Sequence, residues 1–113
     1  MPHINIFASK AIDAQTKNKL QLEIANSMEI IPGKTPSNTL ICISDNFTMY
    51  RDTQAIEAVF LEIRLYKNSP EESKKKFAEH IFNIMDTVLK VPASNVQINF
   101  IELPEWAAGG NYF

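Results

Sequence analysis

The stretch that decides the fold is residues 59–72, VFLEIRLYKNSPEE. Its first part has apolar residues at every second position from Val59 to Leu65, which is the pattern of a half-buried β-strand. The end of the stretch, Ser69-Pro70-Glu71-Glu72, combines a capping serine, a proline at the first helical position and two acids at the positive end of a helix. The stretch therefore predicts a strand that leads directly into a helix.

The same pattern occurs in the first half of the chain. When the sequence is slid over itself by 57 positions, the halves align without a gap over more than forty residues. Few residues are identical, but residue types are kept, and such a match indicates duplication of one supersecondary unit. We therefore predict a single domain, residues 1–113, made of two pseudo-repeats, 2–46 and 59–103, with a connector and a C-terminal tail. Examples of the matched pairs are Ile6/Ile63, Lys17/Lys74, Leu20/Phe77, Met28/Met85 and Asp45/Glu102.

Each unit is predicted to be a strand, a helix and a strand. In the first unit Asp13 caps the helix, Pro32-Gly33 ends it, and residues 38–45 form the second strand. In the second unit Pro92 ends the connection before the last strand. The predicted buried helix stripes are Leu20, Ile24, Met28 and Ile31 in the first unit, and Phe77, Ile81, Ile84, Met85 and Val88 in the second.

The predicted fold class is α/β, in a two-layer α+β arrangement with a four-stranded sheet and both helices on one face. Right-handed crossovers make each strand pair within a unit parallel. The opposite face is too apolar to lie against water alone, so we expect partner subunits to cover it. It carries His3, Phe7, Leu40, Cys42, Phe60, Tyr66, Gln97 and Ile101.

Composition excludes several functional classes. The net charge is −2, and the one basic run, Lys74-Lys75-Lys76, lies beside two acids and is typical of a solvated helix face, so we expect no nucleic-acid partner. Apolar stretches are too short to cross a bilayer, and a signal peptide is not apparent, so we expect no membrane partner and a cytoplasmic location. Cys42 is the only cysteine, and His3 and His80 form no metal pair, so we expect no metal and no cofactor.

Pro2 is the candidate catalytic residue. If Met1 is removed, the chain begins with a secondary amine on a rigid ring. Burial in an apolar pocket lowers the pKa of such an amine, and a neutral amine near pH 7 can take a proton from carbon or add to a carbonyl. While Met1 is in place, the Pro2 nitrogen is an amide and cannot act as a base.

The duplication, the Met1-Pro2 start and the tail together resemble the tautomerase superfamily. The similarity is to the branch of macrophage migration inhibitory factor, or equally to a poorly characterised bacterial branch, and it covers nearly the whole chain. Its most specific segments are Met1-Pro2, Gly33-Lys34-Thr35-Pro36, Val96-Gln97-Ile98-Asn99-Phe100, Glu102 and Gly109-Gly110-Asn111-Tyr112-Phe113.

The resemblance implies a homotrimer with a site at each subunit boundary. It implies that Pro2 is the general base or nucleophile, that Lys34 holds the substrate carboxylate, and that Asn99 borders the site from the neighbouring subunit. Some positions depart from the branch pattern. Gln97 replaces a tyrosine, Leu65-Tyr66-Lys67 replaces Ser-Ile-Gly, Trp106 is displaced, and a Cys-x-x-Cys pair is absent.

Several candidates have competing structural interpretations. For Lys34 a helix-terminus cation is favoured, and for Asn99 a hydrogen bond that closes the subunit boundary. Arg64 is predicted to be buried on the face away from the helices, as a salt bridge to Glu62 or Glu102 or as a substrate clamp, with the bridge favoured. The remaining substrate-binding candidates are Tyr66, Trp106 and Phe113, whose rings could instead pack on a neighbouring subunit. Structural interpretations are favoured for the connector pair Tyr50 and Arg51, for Cys42 as a small buried hydrophobe, and for His80 as a surface residue.

The favoured function is a cofactor-independent keto–enol tautomerase that acts on a small 2-oxo acid of phenylpyruvate type. Pro2 would be the base, and Lys34, with Arg64, would hold the carboxylate. The alternative is a non-catalytic trimer of the same fold that retains Met1 and binds a ligand or a partner. A third hypothesis, ranked last, is hydration, dehalogenation or decarboxylation by the same proline.

Overall fold

A computed structural model describes residues 1–113, and it contains two helices, one main sheet and two short hairpins. Both helices pack on the same side of the main sheet, and the hairpins lie in the connector and in the tail. The elements are β1 (Pro2–Ala8), α1 (Ala14–Ser27), β2 (Leu40–Ser44), β3 (Tyr50–Arg51), β4 (Gln54–Ala55), β5 (Val59–Tyr66), α2 (Glu71–Ile84), β6 (Val96–Leu103), β7 (Ala107–Ala108) and β8 (Asn111–Tyr112).

The main sheet has four strands in the order β2-β1-β5-β6. The pairs β1–β2 and β5–β6 are parallel, as predicted, because each pair is joined by a helical crossover. The two central strands, β1 and β5, are antiparallel, and Asn5 is paired there with Glu62. The fold class predicted from the sequence is confirmed.

The elements recur at the spacing seen in the sequence. Helix α1 begins at residue 14 and α2 at residue 71, while β1 and β5 begin at residues 2 and 59. The connector hairpin, β3–β4, begins at residue 50 and the tail hairpin, β7–β8, begins at residue 107. Asn5 and Glu62 are counterparts at this spacing, so a pseudo-twofold axis passes between them. The spacing of 57 residues thus recurs among these elements, including those of the connector and the tail.

The core lies between the helices and the sheet. The stripe predicted for the first unit is fully buried. In the second unit Phe77, Ile81, Ile84 and Met85 are buried, whereas Val88 is only partly buried. These side chains pack on the alternate apolar residues of β1 and β5, which show a strict buried and half-buried alternation. Removal of this surface from water is the main favourable contribution to folding.

The two helix starts differ. The Asp13 side chain accepts a hydrogen bond from the Thr16 N–H at 2.7 Å, so the predicted cap is confirmed. The second start is one residue later than predicted, since Pro70 is the capping residue and no side chain caps the helix. The Ser69 N–H instead donates a hydrogen bond to Glu102 Oε2 at 2.6 Å. This bond joins the start of α2 to β6.

The helix ends also have local causes. Helix α1 continues as a 3₁₀ turn at Met28–Ile30 before Pro32-Gly33, and Gly33 adopts a φ of 78° that suits glycine. Helix α2 widens into a π-helical segment, Met85–Leu89, and Lys90 follows it in the left-handed region with a φ of 59°.

One sheet face is free of helices in the single chain. The edge residue Cys42 lies on this face and is exposed, so the prediction of a buried cysteine is wrong for the isolated chain. Phe7 packs there against Phe60 and Phe47, with ring centroids 6.3 and 5.8 Å apart. Neither helix is long and apolar enough to cross a membrane.

Candidate active site

Pro2 lies at the edge of a cleft of about 420 Å³. It is the first residue of β1, it is buried, and it is paired across the sheet with Leu65 of β5. The chain end therefore enters the sheet at this point, with Met1 outside it. Besides Met1 and Pro2, the cleft is lined by His3, Asn38, Leu40, Trp106, Ala107 and Ala108.

Lys34 gives this end of the sheet a positive charge. Its ammonium donates a hydrogen bond to the Tyr66 carbonyl oxygen at 3.3 Å, which holds the side chain beside the start of β1. Partial burial, together with the neighbouring Lys34 cation, lowers the pKa of the Met1 ammonium below its ordinary value. An amine at this position is therefore shifted toward its neutral form.

Aromatic side chains from the tail complete the site. Trp106 lines the cleft directly, and its carbonyl oxygen accepts a hydrogen bond from the Phe113 N–H at 2.8 Å, which closes the tail hairpin. The Phe113 ring lies 5.8 Å from the Tyr66 ring, measured between centroids. The Lys67 ammonium lies 5.1 Å from the Tyr66 ring centroid. The predicted residues Tyr66, Trp106 and Phe113 thus lie at the same end of the sheet as Pro2.

Of the predicted site residues, only Pro2 and Trp106 line this cleft, and Lys34, Arg64, Asn99, Tyr66 and Phe113 do not. Arg64 lies on the free face and is paired with His3 across the strands, but its side chain is 41% exposed, so the prediction of a buried arginine is wrong for the single chain. Its guanidinium is 4.0 Å from Glu62. A bridge to Glu102 is not formed, because Glu102 points to the helix side and binds Lys74 at 2.8 Å. The same bond corrects the prediction that Lys74 is merely solvated.

Asn99 also lies outside the cleft of its own chain. It is a residue of the edge strand β6, where it is paired with Glu62 on the free face. The two strands β5 and β1 stand between Asn99 and the other sheet edge. Its predicted position at a site therefore requires a neighbouring subunit.

Sequence reasoning did not assign to the site five residues that line the cleft: His3, Asn38, Leu40, Ala107 and Ala108. Asn38 had a usable signal, since Thr35 and Asn38 have capping-box spacing and the Asn38 Oδ1 atom accepts a hydrogen bond from the Thr35 N–H at 3.1 Å. The alanines had none, because they reach the cleft only through the folding of the tail.

The site contains no cluster of metal ligands. No group of three or more His, Cys, Asp or Glu side chains in the chain is placed to hold a metal ion. The nearest pair of such groups is His3 and Cys42, whose Nε2 and Sγ atoms lie 3.6 Å apart on the free face. The chemical groups at the cleft are the chain end, the His3 imidazole, the Asn38 amide and the Trp106 ring, with the Lys34 ammonium beside the chain end.

Solved structures with the same fold cover almost the whole chain. MIF2 of Leishmania major superposes with a TM-score of 0.92 at 15% identity, over 100% of this chain and 97% of that one. The chain has the fold of MIF and tautomerase proteins. The sequence-based resemblance to this superfamily is thus confirmed at the level of the fold.

Two further structures carry chemical and assembly information. Pt0534, solved after inactivation by 2-oxo-3-pentynoate, has a TM-score of 0.86 at 13% identity, over 97% of this chain and 95% of that one. A fused 4-OT, solved as an asymmetric trimer, has a TM-score of 0.84 at 13% identity, over 97% and 94%. No family model and no curated protein matches the sequence.

Proposed function

We propose that this protein is a cofactor-independent keto–enol tautomerase for a small 2-oxo acid, with the free nitrogen of Pro2 as the base. The observation that carries the proposal is the placement of Pro2. It is buried at the start of β1, on a cleft with an aromatic wall, and Lys34 lies beside the chain end.

The proposed base needs Met1 to be removed. The new terminal amine would lie one residue further into the sheet than the Met1 amine, at a residue that is buried. Both causes that lower the pKa of the Met1 ammonium, burial and the Lys34 charge, would act on it. The neutral amine would take a proton from the carbon next to the carbonyl and return it to the enolate oxygen, which interconverts the keto and enol forms.

The proposed substrate class follows from the charge and the walls of the cleft. The Lys34 ammonium would bind a carboxylate, while Trp106, with the Tyr66 and Phe113 rings beyond it, would face an apolar or aromatic body. A 2-oxo acid inactivates Pt0534, a protein with this fold, and this supports a 2-oxo acid as the ligand class.

We further propose that the chain works as a homotrimer. The fused 4-OT with this fold is a trimer, and the free sheet face of this chain carries Phe7 and Ile101. A neighbouring subunit would cover these two residues, would leave the strand end at Phe60 open, and would bring the partly exposed Arg64 and the edge residue Asn99 toward the cleft of another chain.

The test is a spectroscopic assay of phenylpyruvate enol–keto conversion, made on protein whose Pro2 terminus is verified by intact mass. We expect Pro2→Ala to lower kcat/KM by at least about a hundredfold, since a positioned base contributes roughly 10²–10⁴-fold. Lys34→Gln should raise KM by about tenfold with a smaller effect on kcat, because a charge-assisted hydrogen bond to the carboxylate is lost.

The control is the same protein with Met1 retained, in which the Pro2 nitrogen is an amide. It should convert phenylpyruvate no faster than Pro2→Ala. Equal activity of all three proteins would contradict the proposed base. A natural protein that keeps Met1 and lacks the activity would support the non-catalytic ligand-binding alternative.

A further inference from the structure

A second cleft, of about 330 Å³, lies at the opposite end of the sheet beside the connector hairpin. Its lining residues stand at the repeat spacing from those of the Pro2 cleft. Val59 takes the place of Pro2, Phe60 that of His3, and Asn95 that of Asn38. The pseudo-twofold axis between Asn5 and Glu62 therefore relates two clefts as well as two sets of elements.

The second cleft differs from the first in its chemistry. Ala58, the counterpart of Met1, is inside the chain, so no terminal amine can form there. The counterparts of the two tail alanines are Tyr50 and Arg51, which add a ring and a cation. The counterpart of Lys34 is the buried Val91. The positive charge of each cleft thus comes from a different position in its repeat.

The Arg51 guanidinium is held at the cleft by two hydrogen bonds. Its Nη1 donates to the Ser94 carbonyl oxygen at 2.9 Å, and its Nη2 donates to Asn95 Oδ1 at 2.6 Å. A guanidinium has five N–H donors in a planar fork, so three remain for a ligand. No acidic side chain lines the cleft to neutralise the charge. Arg51 is therefore a fixed cation with free donors.

The rest of the lining suits an apolar body. Six of the nine lining residues are hydrophobic, and Tyr50 and Phe60 provide aromatic faces. The polar side chains are few, namely Arg51, the Asn95 amide that is bonded to it, and the Gln97 amide. Small-molecule sites have this composition, and their volumes begin at about 300 Å³.

We infer that the second cleft is a separate, non-catalytic binding site for a small monocarboxylate with an aromatic or branched apolar body, held by the Arg51 guanidinium. The carboxylate would accept hydrogen bonds from the free Arg51 donors and from the Gln97 amide, while the body would lie against Tyr50 and Phe60. This site does not depend on the Pro2 nitrogen and would be present whether or not Met1 is removed.

The test is a titration of the full chain with phenylacetate, followed by ¹H–¹⁵N NMR. We expect saturable shifts of the Asn95 and Gln97 side-chain amides, in a region distinct from the Trp106 indole N–H that reports on the Pro2 cleft. Arg51→Gln should weaken the binding at Asn95 and Gln97 by about tenfold, and Arg51→Lys by less, since lysine keeps the charge but loses the fork. Lys34→Gln is the matched control and should leave phenylacetate binding at Asn95 and Gln97 unchanged.

Other outcomes decide against the site. The inference is overturned if Asn95 and Gln97 do not shift up to about 10 mM phenylacetate, a limit beyond ordinary weak binding. It is also overturned if the neutral analogue 2-phenylethanol binds there equally well, or if a folded Arg51→Gln protein binds as tightly as the wild type. If Arg51→Gln loses its spectral dispersion, Tyr50→Ala at an exposed position replaces it, and unchanged binding in that variant overturns the inference.

Discussion

Two strand-end carboxylates, Asp45 and Glu102, join the sheet to the helices in the same way. Asp45 accepts hydrogen bonds from the Ile12 N–H at 2.6 Å and from the Lys17 ammonium at 3.3 Å. Glu102 accepts them from the Ser69 N–H at 2.6 Å and from the Lys74 ammonium at 2.8 Å. The backbone bond from Ile12 is the largest cause that lowers the pKa of Asp45, and the Lys74 bond is the largest for Glu102.

These contacts predict a loss of stability in acid. A carboxylate with a lowered pKa in the folded state contributes stability above its unfolded pKa, about 4, and this contribution is lost as the pH falls through the folded value. The urea midpoint of the wild type should therefore drop between pH 6 and pH 3. The drop should be smaller in an Asp45→Asn/Glu102→Gln protein and unchanged in Glu79→Gln, an exposed control. Equal drops in all three proteins would contradict the prediction.

Backbone strain at Thr53 gives a second prediction for a single residue. The central residues of the connector turn, Asp52 and Thr53, have φ values of 52° and 63°, whereas the tail turn has Gly109 and Gly110 at 59° and 85°. A β-branched residue in the left-handed region costs about 1 kcal/mol or more relative to glycine. Thr53→Gly should raise the free energy of unfolding by about 1 kcal/mol in urea titrations.

The matched control is the reverse change in the tail hairpin. Gly110→Thr should lower the free energy of unfolding by about the same amount, about 1 kcal/mol. A Cβ atom at Gly110 meets no atom within 4 Å, so the cost arises from the backbone alone. A stabilising Gly110→Thr or a destabilising Thr53→Gly would show that backbone strain at these φ values does not control the stability of the two turns.

At the scale of the elements, the buried stripes of the two helices have equivalent side chains near their centres. Leu20 of α1 and Phe77 of α2 are counterparts in the two repeats, and both are 0% exposed. The Phe77 ring lies 6.5 Å from the Phe100 ring of β6, measured between centroids. The two helices thus contribute to one core through equivalent positions.

Truncation at these positions should be costly in both repeats. We expect Phe77→Ala to lower the free energy of unfolding by about 3–5 kcal/mol and Leu20→Ala by about 2–5 kcal/mol, because each leaves a cavity. Leu22→Ala, at a position that is 48% exposed, is the control and should change it by less than about 0.5 kcal/mol. A cost confined to one helix would argue against a shared core.

The sequence predicts those elements whose signal lies in nearby residues. The alternation in β1 and β5 and the helix stripes are local patterns, so the strands and helices follow from them. The connector hairpin has no such signal, since Asp52-Thr53 is an unusual pair for its turn. The π-helical segment Met85–Leu89 is likewise not predicted, since no motif in the sequence marks it.

The candidate site could be predicted only in part for the same reason. Pro2, Lys34 and Trp106 carry motifs and meet at one end of the sheet. The second cleft was not predicted, because residues at equivalent positions of the two clefts differ in type, as Tyr50 and Ala107 do. The burial predicted for Arg64 is wrong for the single chain, where its side chain is 41% exposed, because alternation along a strand does not say what covers the outer face of the sheet.

At the scale of the whole molecule, the proposed trimer has a direct test. Light scattering after gel filtration should give a mass near three times the 12.8 kDa of one chain. Ile101→Glu places a charge on the free face of an edge strand and should shift the mass toward that of one chain, because a desolvated charge without a partner is costly. A wild-type protein with the mass of one chain would contradict the trimer.

Only one of the two related clefts contains the beginning of the polypeptide. Two such units in one continuous chain have a single first residue between them. At the first cleft, removal of Met1 can therefore produce a free amine. At the second cleft the equivalent nitrogen, that of Val59, is in a peptide bond. A base of the kind proposed for Pro2 cannot form in the second cleft. The arginine and the tyrosine found there give the same geometry a different chemistry.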